Sequence, residues 1–288
     1  MNVVAQRPPA APLPQPAAGD GLRVALGHAT LTGRRSRNED FVAATTPEGA
    51  DLAAKGILLV VADGVGGHAK GREAAEYAVR SLLSDYYATP DTWGVERSID
   101  TVLRAANRWL QGHAGKIPDN AGMATTLTAV VLRGTRYYVA HVGDTRAYLL
   151  RGGHLTQLTE DHTWDHPELT NVLRRAIGLD AHLVVDLADG DLQPGDRFVL
   201  VSDGVWGTLG NDGIAKVLSS HSDAEQAAEA LVFKAERRGS KDNCTALVAN
   251  VEGVAAGNLR DTLASASRLP LPPRLKPGQE IDGLHVLD

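Results

Sequence analysis

The chain has 288 residues, 43% of them hydrophobic, which is enough for one large domain with a full core or for two small ones. Its net charge of −6 gives no basis for non-specific binding to nucleic acid or to an anionic membrane surface. The single cysteine, Cys244, cannot form an internal disulfide, no apolar stretch approaches the roughly 20 residues of a membrane span, and the N-terminus lacks a signal-peptide pattern, so we expect a soluble cytoplasmic protein.

The two ends of the chain differ in composition from the middle. Residues 5–19 are rich in Pro and Ala, and residues 269–278 are again rich in Pro, as is typical of extended or disordered segments. We therefore predict a disordered tail over 1–20, one globular domain over 21–254, and a segment 255–288 that begins as a linker.

The middle of the chain alternates between strand-like and helix-like patterns. Strand-like apolar runs fall at 22–28, 56–62, 126–133, 136–142, 145–150, 197–202 and 244–251. Helical spacing of apolar residues appears at 69–87, 95–114 and 223–238. Because the helices come in adjacent pairs, we predict mostly antiparallel sheets with helices outside them, and we expect Leu127–Leu150 to form one meander with a turn at Gly143-Asp144.

Two of the apolar strands end in the same way. The run 56–62 leads into Asp63-Gly64, and the run 198–202 leads into Asp203-Gly204. A buried carboxylate is costly unless it is paired or bound to a cation. A single Asp-Gly at a strand end is more often only a turn, but two of them, with Asp242 directly before the last strand, favour a shared cation.

Three further carboxylates stand in turn-like settings and extend this set. Glu39 and Asp40 follow the first strand, and Asp144 lies in the meander. Carboxylate oxygens and free backbone carbonyls are the ligands that Mg²⁺ and Mn²⁺ prefer, and a glycine such as Gly64 lets its carbonyl approach an ion closely. The sequence therefore predicts an all-oxygen metal site.

A metal pair of this kind points to chemistry at phosphorus. Two cations a few ångström apart can acidify a bridging water and stabilise an in-line displacement. Arg35 is placed to hold phosphate oxygens in a bidentate fork, and His68 is placed to protonate a leaving oxygen. The alternatives are that Arg35 belongs to an ordinary basic turn and that His68 is only a solvated loop residue. The functional interpretation of both is favoured only by the neighbouring carboxylates.

Five ordered segments carry a resemblance to a known family. They are 35–40, 61–68, 143–148, 202–205 and 242–245. Together they resemble the motif set of the metal-dependent (type 2C) serine/threonine protein phosphatases, bacterial branch, over residues 22–251. The resemblance implies an α+β fold, a four-layer α-β-β-α sandwich of two mostly antiparallel sheets with a binuclear metal site between them. It also implies hydrolysis of phosphoserine and phosphothreonine on proteins by a metal-bridging water, opposing a serine/threonine kinase in bacterial signalling.

The resemblance also implies a role for each candidate residue and two Mn²⁺ or Mg²⁺ ions with a weaker third. Asp63 would bridge both metals, the Gly64 carbonyl would bind one of them, and Asp203 and Asp242 would complete the first metal site. Glu39 and Asp40 would act mainly through metal-bound water, and Asp144 would belong to the third site. Arg35 would bind the phosphate, and His68 would be the general acid.

One departure from the family pattern is visible. Only seven residues separate Asp161-His162-Thr163 from Asn171, where bacterial relatives commonly carry a longer mobile flap. We therefore expect a shortened flap and an open, permissive cleft. His162 and His166 have the i, i+4 spacing of a zinc pair, but Pro167 argues against a helix there, so we interpret both as loop residues that bind no metal.

Two other functions are weighed against the phosphatase. A nucleotide-binding enzyme would use the loop 63–71 to cradle phosphates, but that interpretation leaves Asp203 and Asp242 unexplained. A non-catalytic phosphoprotein-binding module would be favoured if one of the metal-binding carboxylates were missing. All the expected carboxylate positions are filled, so the sequence does not favour this function.

The last residues, 275–288, resemble the start of a bacterial serine/threonine kinase domain. Their strand-like alternation at Ile281, Leu284 and Val286 is expected to have no partner strand before the chain stops. The resemblance implies a phosphatase–kinase fusion, or a relic of one, whose kinase would be the natural partner. A plain disordered tail is the alternative.

Overall fold

The computed structural model separates two compact units, Met1–Ala256 and Gly257–Asp288. The structure describes residues 21–65, 69–114, 123–164 and 172–255, together with the backbone of 280–281 and 284–285. The predicted tail 1–20, His68 and the flap residues 165–171 lie outside the described residues. The predicted domain limits stay predictions.

Two five-stranded antiparallel sheets form the centre of the first unit. Sheet I has the order β1-β12-β11-β8-β9, with β1 Arg23–Leu31, β8 Arg146–Arg151, β9 His154–Gln157, β11 Arg197–Val201 and β12 Cys244–Gly253. Sheet II has the order β10-β7-β6-β3-β2, with β2 Phe41–Thr45, β3 Ile57–Ala62, β6 Leu127–Arg133, β7 Arg136–Val142 and β10 Asp186–Asp191. Two short strands, β4 (Gly64–Val65) and β5 (Ala124–Thr125), pair with each other.

Helices cover the outer face of each sheet. The five helices of the described residues are α1 Gly49–Lys55, α2 Ala69–Ala88, α3 Val95–Ala114, α4 Asp203–Ser220 and α5 Ala224–Arg237. Residues of α2 and α3 share a buried cluster with sheet II, and residues of α4 and α5 share one with sheet I. A third cluster joins the two sheets face to face. The predicted α-β-β-α sandwich is thus confirmed.

Strand β3 shows why the central runs are apolar throughout. Successive side chains of a strand point to opposite faces. Leu58 and Val60 belong to the cluster under the helices, whereas Leu59 and Val61 belong to the cluster between the sheets. Because both faces are dry, a polar residue has a place only where the strand ends.

The predicted meander over Leu127–Leu150 is wrong. Strands β6 and β7 form a hairpin in sheet II, but β8 lies in sheet I beside β11. The chain therefore changes sheets at Gly143-Asp144, which brings Asp144 to the end of the seam between them.

Several helices and strands were not predicted from the sequence pattern. They are β2, α1, β9, β10 and α4. Helix α4 contains four glycines, and its backbone leaves helical geometry at Gly210 (φ +61°), so its apolar spacing is interrupted. Strand β10 is rich in aspartate because it is a sheet edge, and Arg136 of β7 forms ion pairs with Asp189 and Asp191.

The second unit has its own short pairing. Glu280–Ile281 (β13) pairs antiparallel with Leu284–His285 (β14). The expectation that this alternation has no partner strand is wrong, because the two halves of the segment pair with each other. Among the described residues, no helix combines the length and the apolar character that crossing a membrane requires.

Candidate active site

A polar cleft of about 230 Å³ opens at the end of the seam between the two sheets. Seven of the predicted site residues line it: Arg35, Glu39, Asp63, Gly64, Asp144, Asp203 and Asp242. Val65, Thr126, Leu173 and Asn243 complete the described lining. Asp40 lies beneath the surface with 3% exposure.

The backbone around Asp63 is held by the neighbouring strand. The Asp63 amide donates to Thr126 Oγ1 at 3.1 Å, and the Asp63 carbonyl accepts from the Thr126 amide and from Thr125 Oγ1, both at 2.8 Å. These bonds fix the point at which β3 ends, so the carboxylate of Asp63 emerges from a rigid element.

Asp203 reaches the cleft from the other sheet. It follows β11 and begins α4, where the helix dipole favours a negative charge. The residue before it, Ser202, donates from Oγ to Asp40 Oδ2 at 2.7 Å and accepts from the Thr245 amide at 3.0 Å. Ser202 therefore ties the buried carboxylate of Asp40 to the end of β11.

Asn243 joins the two loops that carry the remaining candidates. Its side-chain amide donates to the carbonyls of Thr32 and Arg37, both at 2.8 Å, and its Oδ1 accepts from the Glu39 amide at 2.9 Å. The loop with Arg35, Glu39 and Asp40 is thereby fastened to the turn that carries Asp242. The role of Asn243 is not evident from the sequence, since its partners lie more than 200 residues away in the chain.

Arg35 forms an ion pair inside the cleft. Its Nη2 lies 2.5 Å from Asp242 Oδ2, and half of the Arg35 side chain (51%) is exposed. Asp242, proposed from sequence as a metal ligand, thus has a positively charged partner in the structure.

The carboxylates of the site lack sufficient positive charge. Burial, reinforced by the neighbouring carboxylates, raises the pKa of Asp40 to about 7, that of Asp144 to about 7 and that of Asp203 to about 6. The pKa of Asp63 is raised well above its usual value for the same reasons. Within the described part of the chain, Asp40 Oδ1 and Asp203 Oδ1 are buried without a hydrogen-bond partner.

These observations fit a divalent cation. Oxygen donors with raised pKa values and unpaired buried atoms are what a hard cation would compensate. No three His, Cys, Asp or Glu side chains of residues 21–65, 69–114, 123–164 and 172–255 are already grouped to hold an ion together. The individual ligand assignments therefore stay predictions.

The two glycines after the strand-end aspartates have a packing role. A Cβ on Gly64 would lie 2.2 Å from the backbone of Gly71 in α2, and a Cβ on Gly204 would lie 2.0 Å from the carbonyl oxygen of Asn243. Glycine at both positions therefore lets other backbone segments approach the cleft wall, in addition to the open carbonyl expected from sequence.

His162 holds the loop that carries Asp144. Its Nδ1 accepts from the Gly143 amide at 3.1 Å, and its own amide donates to the Gly143 carbonyl at 2.7 Å. Gly143 has a φ of +111°, which favours glycine. The Nε2 of His162 faces Asp186 at 3.0 Å, and Asp186 is paired with Arg175. These contacts assign His162 a positioning role that the sequence did not reveal.

A second contact holds the same loop from the side of α4. The indole Nε1 of Trp206 donates to the Asp144 carbonyl at 2.9 Å. The guanidinium of Arg146 lies 3.5 Å from the centre of the Trp206 ring and forms a bidentate pair with Asp161. The Gly143-Asp144 loop is therefore anchored from two sides, through His162 and through Trp206 of α4.

Comparisons with known proteins agree with this geometry. A family model described as protein phosphatase 2C matches residues 32–246. The serine/threonine protein phosphatase PstP of Mycobacterium tuberculosis is 33% identical over 250 residues, which cover 81% of this chain and 46% of PstP. The serine/threonine phosphatase stp of Listeria welshimeri is 33% identical over 210 residues, which cover 66% of this chain and 83% of that protein.

A solved structure is similar to the chain in fold. The catalytic domain of the serine/threonine protein phosphatase PstP, solved in complex with two manganese ions, has a TM-score of 0.67 and 33% identity, covering 80% of this chain and all of that domain. The chain spans about half the length of full PstP.

Replacing Asp63 by Asn should stabilise the metal-free protein. The change removes a buried negative charge from a group of like charges, and we expect a gain of about 1–2 kcal/mol in the free energy of unfolding. Thermal unfolding in EDTA measures the gain. Added Mn²⁺ should stabilise the wild type but not Asp63→Asn. The control Asp212→Asn, an exposed change on α4, should match the wild type both in EDTA and with Mn²⁺. A less stable Asp63→Asn protein in EDTA would contradict the prediction.

Replacing His162 by Leu should weaken Mn²⁺ binding, because the Gly143 amide loses its acceptor and the Asp144 loop loses one anchor. Loss of such a bond costs about 1–3 kcal/mol, which is roughly 5- to 150-fold in an equilibrium constant. His162→Asn keeps an acceptor at the Nδ1 position and should restore most of the affinity. Calorimetric titration with Mn²⁺ compares the three proteins; equal affinity of the Leu and Asn variants would exclude the positioning role.

Proposed function

Since the chain belongs to the protein phosphatase 2C family, we propose that it hydrolyses phosphoserine and phosphothreonine on proteins with Mn²⁺ or Mg²⁺ as cofactor. One observation carries the proposal: strand ends from two sheets deliver Asp63 and Asp203 to one cleft that also holds Arg35. The chain aligns with only 46% of the length of PstP, so we also propose, by inference from the matched part, the activity and the partners of the whole protein.

The cations would be held by the carboxylates of the cleft. We assign Asp63, the Gly64 carbonyl, Asp203 and Asp242 to two ions, Glu39 and Asp40 to contacts through water, and Asp144 to a weaker third ion. When bound, such a pair lowers the pKa of a water and offsets the charge that develops on the phosphoryl oxygens. The two manganese ions of the PstP catalytic domain support this assignment.

Arg35 would bind the phosphate of the substrate. Its guanidinium is paired with Asp242, and its exposed half leaves it free to turn towards a phosphate in the same cleft. A planar guanidinium donates two parallel hydrogen bonds to phosphate oxygens, which fixes the orientation of the group as well as its position. Arg35 would therefore align the phosphorus for attack along one line.

His68 would protonate the leaving oxygen. It follows Asp63 by five residues on the same segment and lies outside the described residues, so the family resemblance alone supports its role. The alkoxide of serine or threonine is a poor leaving group, and a positioned acid helps most in such a case.

A serine/threonine kinase is the partner that this activity implies. Dephosphorylation matters biologically where a kinase adds the phosphate, and the resemblance of 275–288 to the start of a kinase domain supports a physical link. The lone, buried Cys244 supports a location in the reducing cytoplasm.

Activity should depend on added Mn²⁺ or Mg²⁺. Phosphate release from a phosphothreonine peptide should be abolished by EDTA and restored by Mn²⁺. Asp203→Asn should lose activity by at least about a hundredfold at saturating metal, because it removes a ligand charge next to the reacting phosphate. The exposed variant Asp212→Asn is the control. Near-normal turnover by Asp203→Asn would refute the site assignment, and no release from any phosphorylated substrate would refute the function.

Replacing His68 by Ala should slow the peptide reaction about a hundredfold to ten-thousandfold, while hydrolysis of p-nitrophenyl phosphate should change little. The reason is that p-nitrophenolate leaves without a proton, whereas threonine needs one. Initial rates on both substrates decide the question, with the exposed His154→Ala as control. Equal losses on the two substrates would rule out the acid role.

A further inference from the structure

Exposed cations surround one side of the acidic cleft. Arg34 and Arg37 flank Arg35 on the loop 32–39, and Lys241 directly precedes Asp242 on the turn 239–243. All three side chains lie on exposed residues. We call Arg34, Arg37 and Lys241 the cationic rim.

The cationic rim is fixed relative to the cleft. Asn243 fastens the two loops through its bonds to Thr32, Arg37 and Glu39. Arg34 reaches across to the second loop, since its Nη2 lies 3.9 Å from the point that a Cβ on Gly239 would occupy. The loops that carry the cationic rim therefore have a fixed position beside Arg35.

The rim cations are available to a ligand. Within the described residues, none of the three forms an ion pair with a carboxylate. A further cation lies next to the cationic rim. The exposed Arg72 of α2 donates to the carbonyl of Asn38, on the loop 32–39, at 3.0 Å. The cleft itself is acidic, so the rim is a separate region of opposite charge.

We propose that the cationic rim binds acidic residues next to the phosphorylated serine or threonine of the substrate, so that the preferred substrates carry Asp, Glu or a second phosphate within a few residues. The inference rests on the proposed function and narrows it. With the phosphate seated at Arg35, the flanking chain has to cross the edge of the cleft, where Arg34, Arg37 and Lys241 lie.

The size of the effect follows from the exposure of the rim. An exposed ion pair is worth a factor of about 2 to 5, so two or three pairs give roughly fourfold to a hundredfold. Screening reduces attraction between exposed charges, so the preference should shrink as ionic strength rises.

The test uses three phosphothreonine peptides that differ only in their flanking residues, which are Asp, Ala or Lys. The full chain with Mn²⁺ should show a kcat/KM about fourfold to a hundredfold higher for the Asp peptide than for the Ala peptide at low salt. In 0.5 M NaCl the ratio should fall towards one. The Lys peptide should be the poorest of the three.

Charge reversal identifies the residues responsible. Arg34→Glu with Lys241→Glu should abolish or invert the Asp-to-Lys preference. The matched control, Arg108→Glu with Lys216→Glu, makes the same charge change at exposed positions on α3 and α4 and should leave the preference intact. Each peptide rate is divided by the rate of the same protein on p-nitrophenyl phosphate, which has no flanking chain.

Two results would overturn the proposal. One is equal kcat/KM for the three peptides with the wild-type chain, and the other is an unchanged preference in the Arg34/Lys241 variant. Failure of the proposed function gives a different result, namely no phosphate release from any peptide or from p-nitrophenyl phosphate.

Discussion

Buried carboxylates at the mouth of an apolar sandwich are the constraint on which the site depends. Asp63 and Asp203 each follow a strand with a buried apolar core, and both line the same cleft. Burial and neighbouring carboxylates raise the pKa of both groups, and keeping such charges together destabilises the folded chain. The apolar contacts between the sheets have to offset that cost, so the site can be acidic only because it is attached to a large core.

The surrounding polar residues position these charges more than they neutralise them. Ser202, Thr126 and Asn243 bind backbone groups or fix a neighbouring carboxylate, and one buried oxygen of Asp40 and one of Asp203 still have no partner among the described residues. A set of supporting hydrogen bonds that leaves the central oxygens open is typical of a preorganised binding site. The carboxylates are held rigidly and their negative charge is not compensated. This combination indicates a cation site, and the indication does not depend on comparison with related proteins.

The sequence predicted the parts of the fold that depend on apolar periodicity and missed those that depend on tertiary contacts. Strands such as β3 and β11 and the helices α2, α3 and α5 have continuous patterns, whereas α4 is interrupted by glycines and β10 is an acidic edge strand. The carboxylates at strand ends were predictable because burial makes them costly. Asn243, His162 and Trp206 were not, because their partners are backbone groups brought near by folding, and residue type and spacing carry no signal for such contacts.

The position of the site follows from where the chain changes sheets. The connection from β1 to β2 carries Arg35, Glu39 and Asp40, and the connection from β7 to β8 carries Asp144. His162 lies on the connection from β9 to β10, which also crosses between sheets. A charged side chain without a partner is costly between two dry sheet faces, so crossings at the end of the seam are where charged groups from both sheets can meet. Asn243 fastens the β1–β2 crossing to the turn before β12, and this contact places the cationic rim beside the acidic cleft.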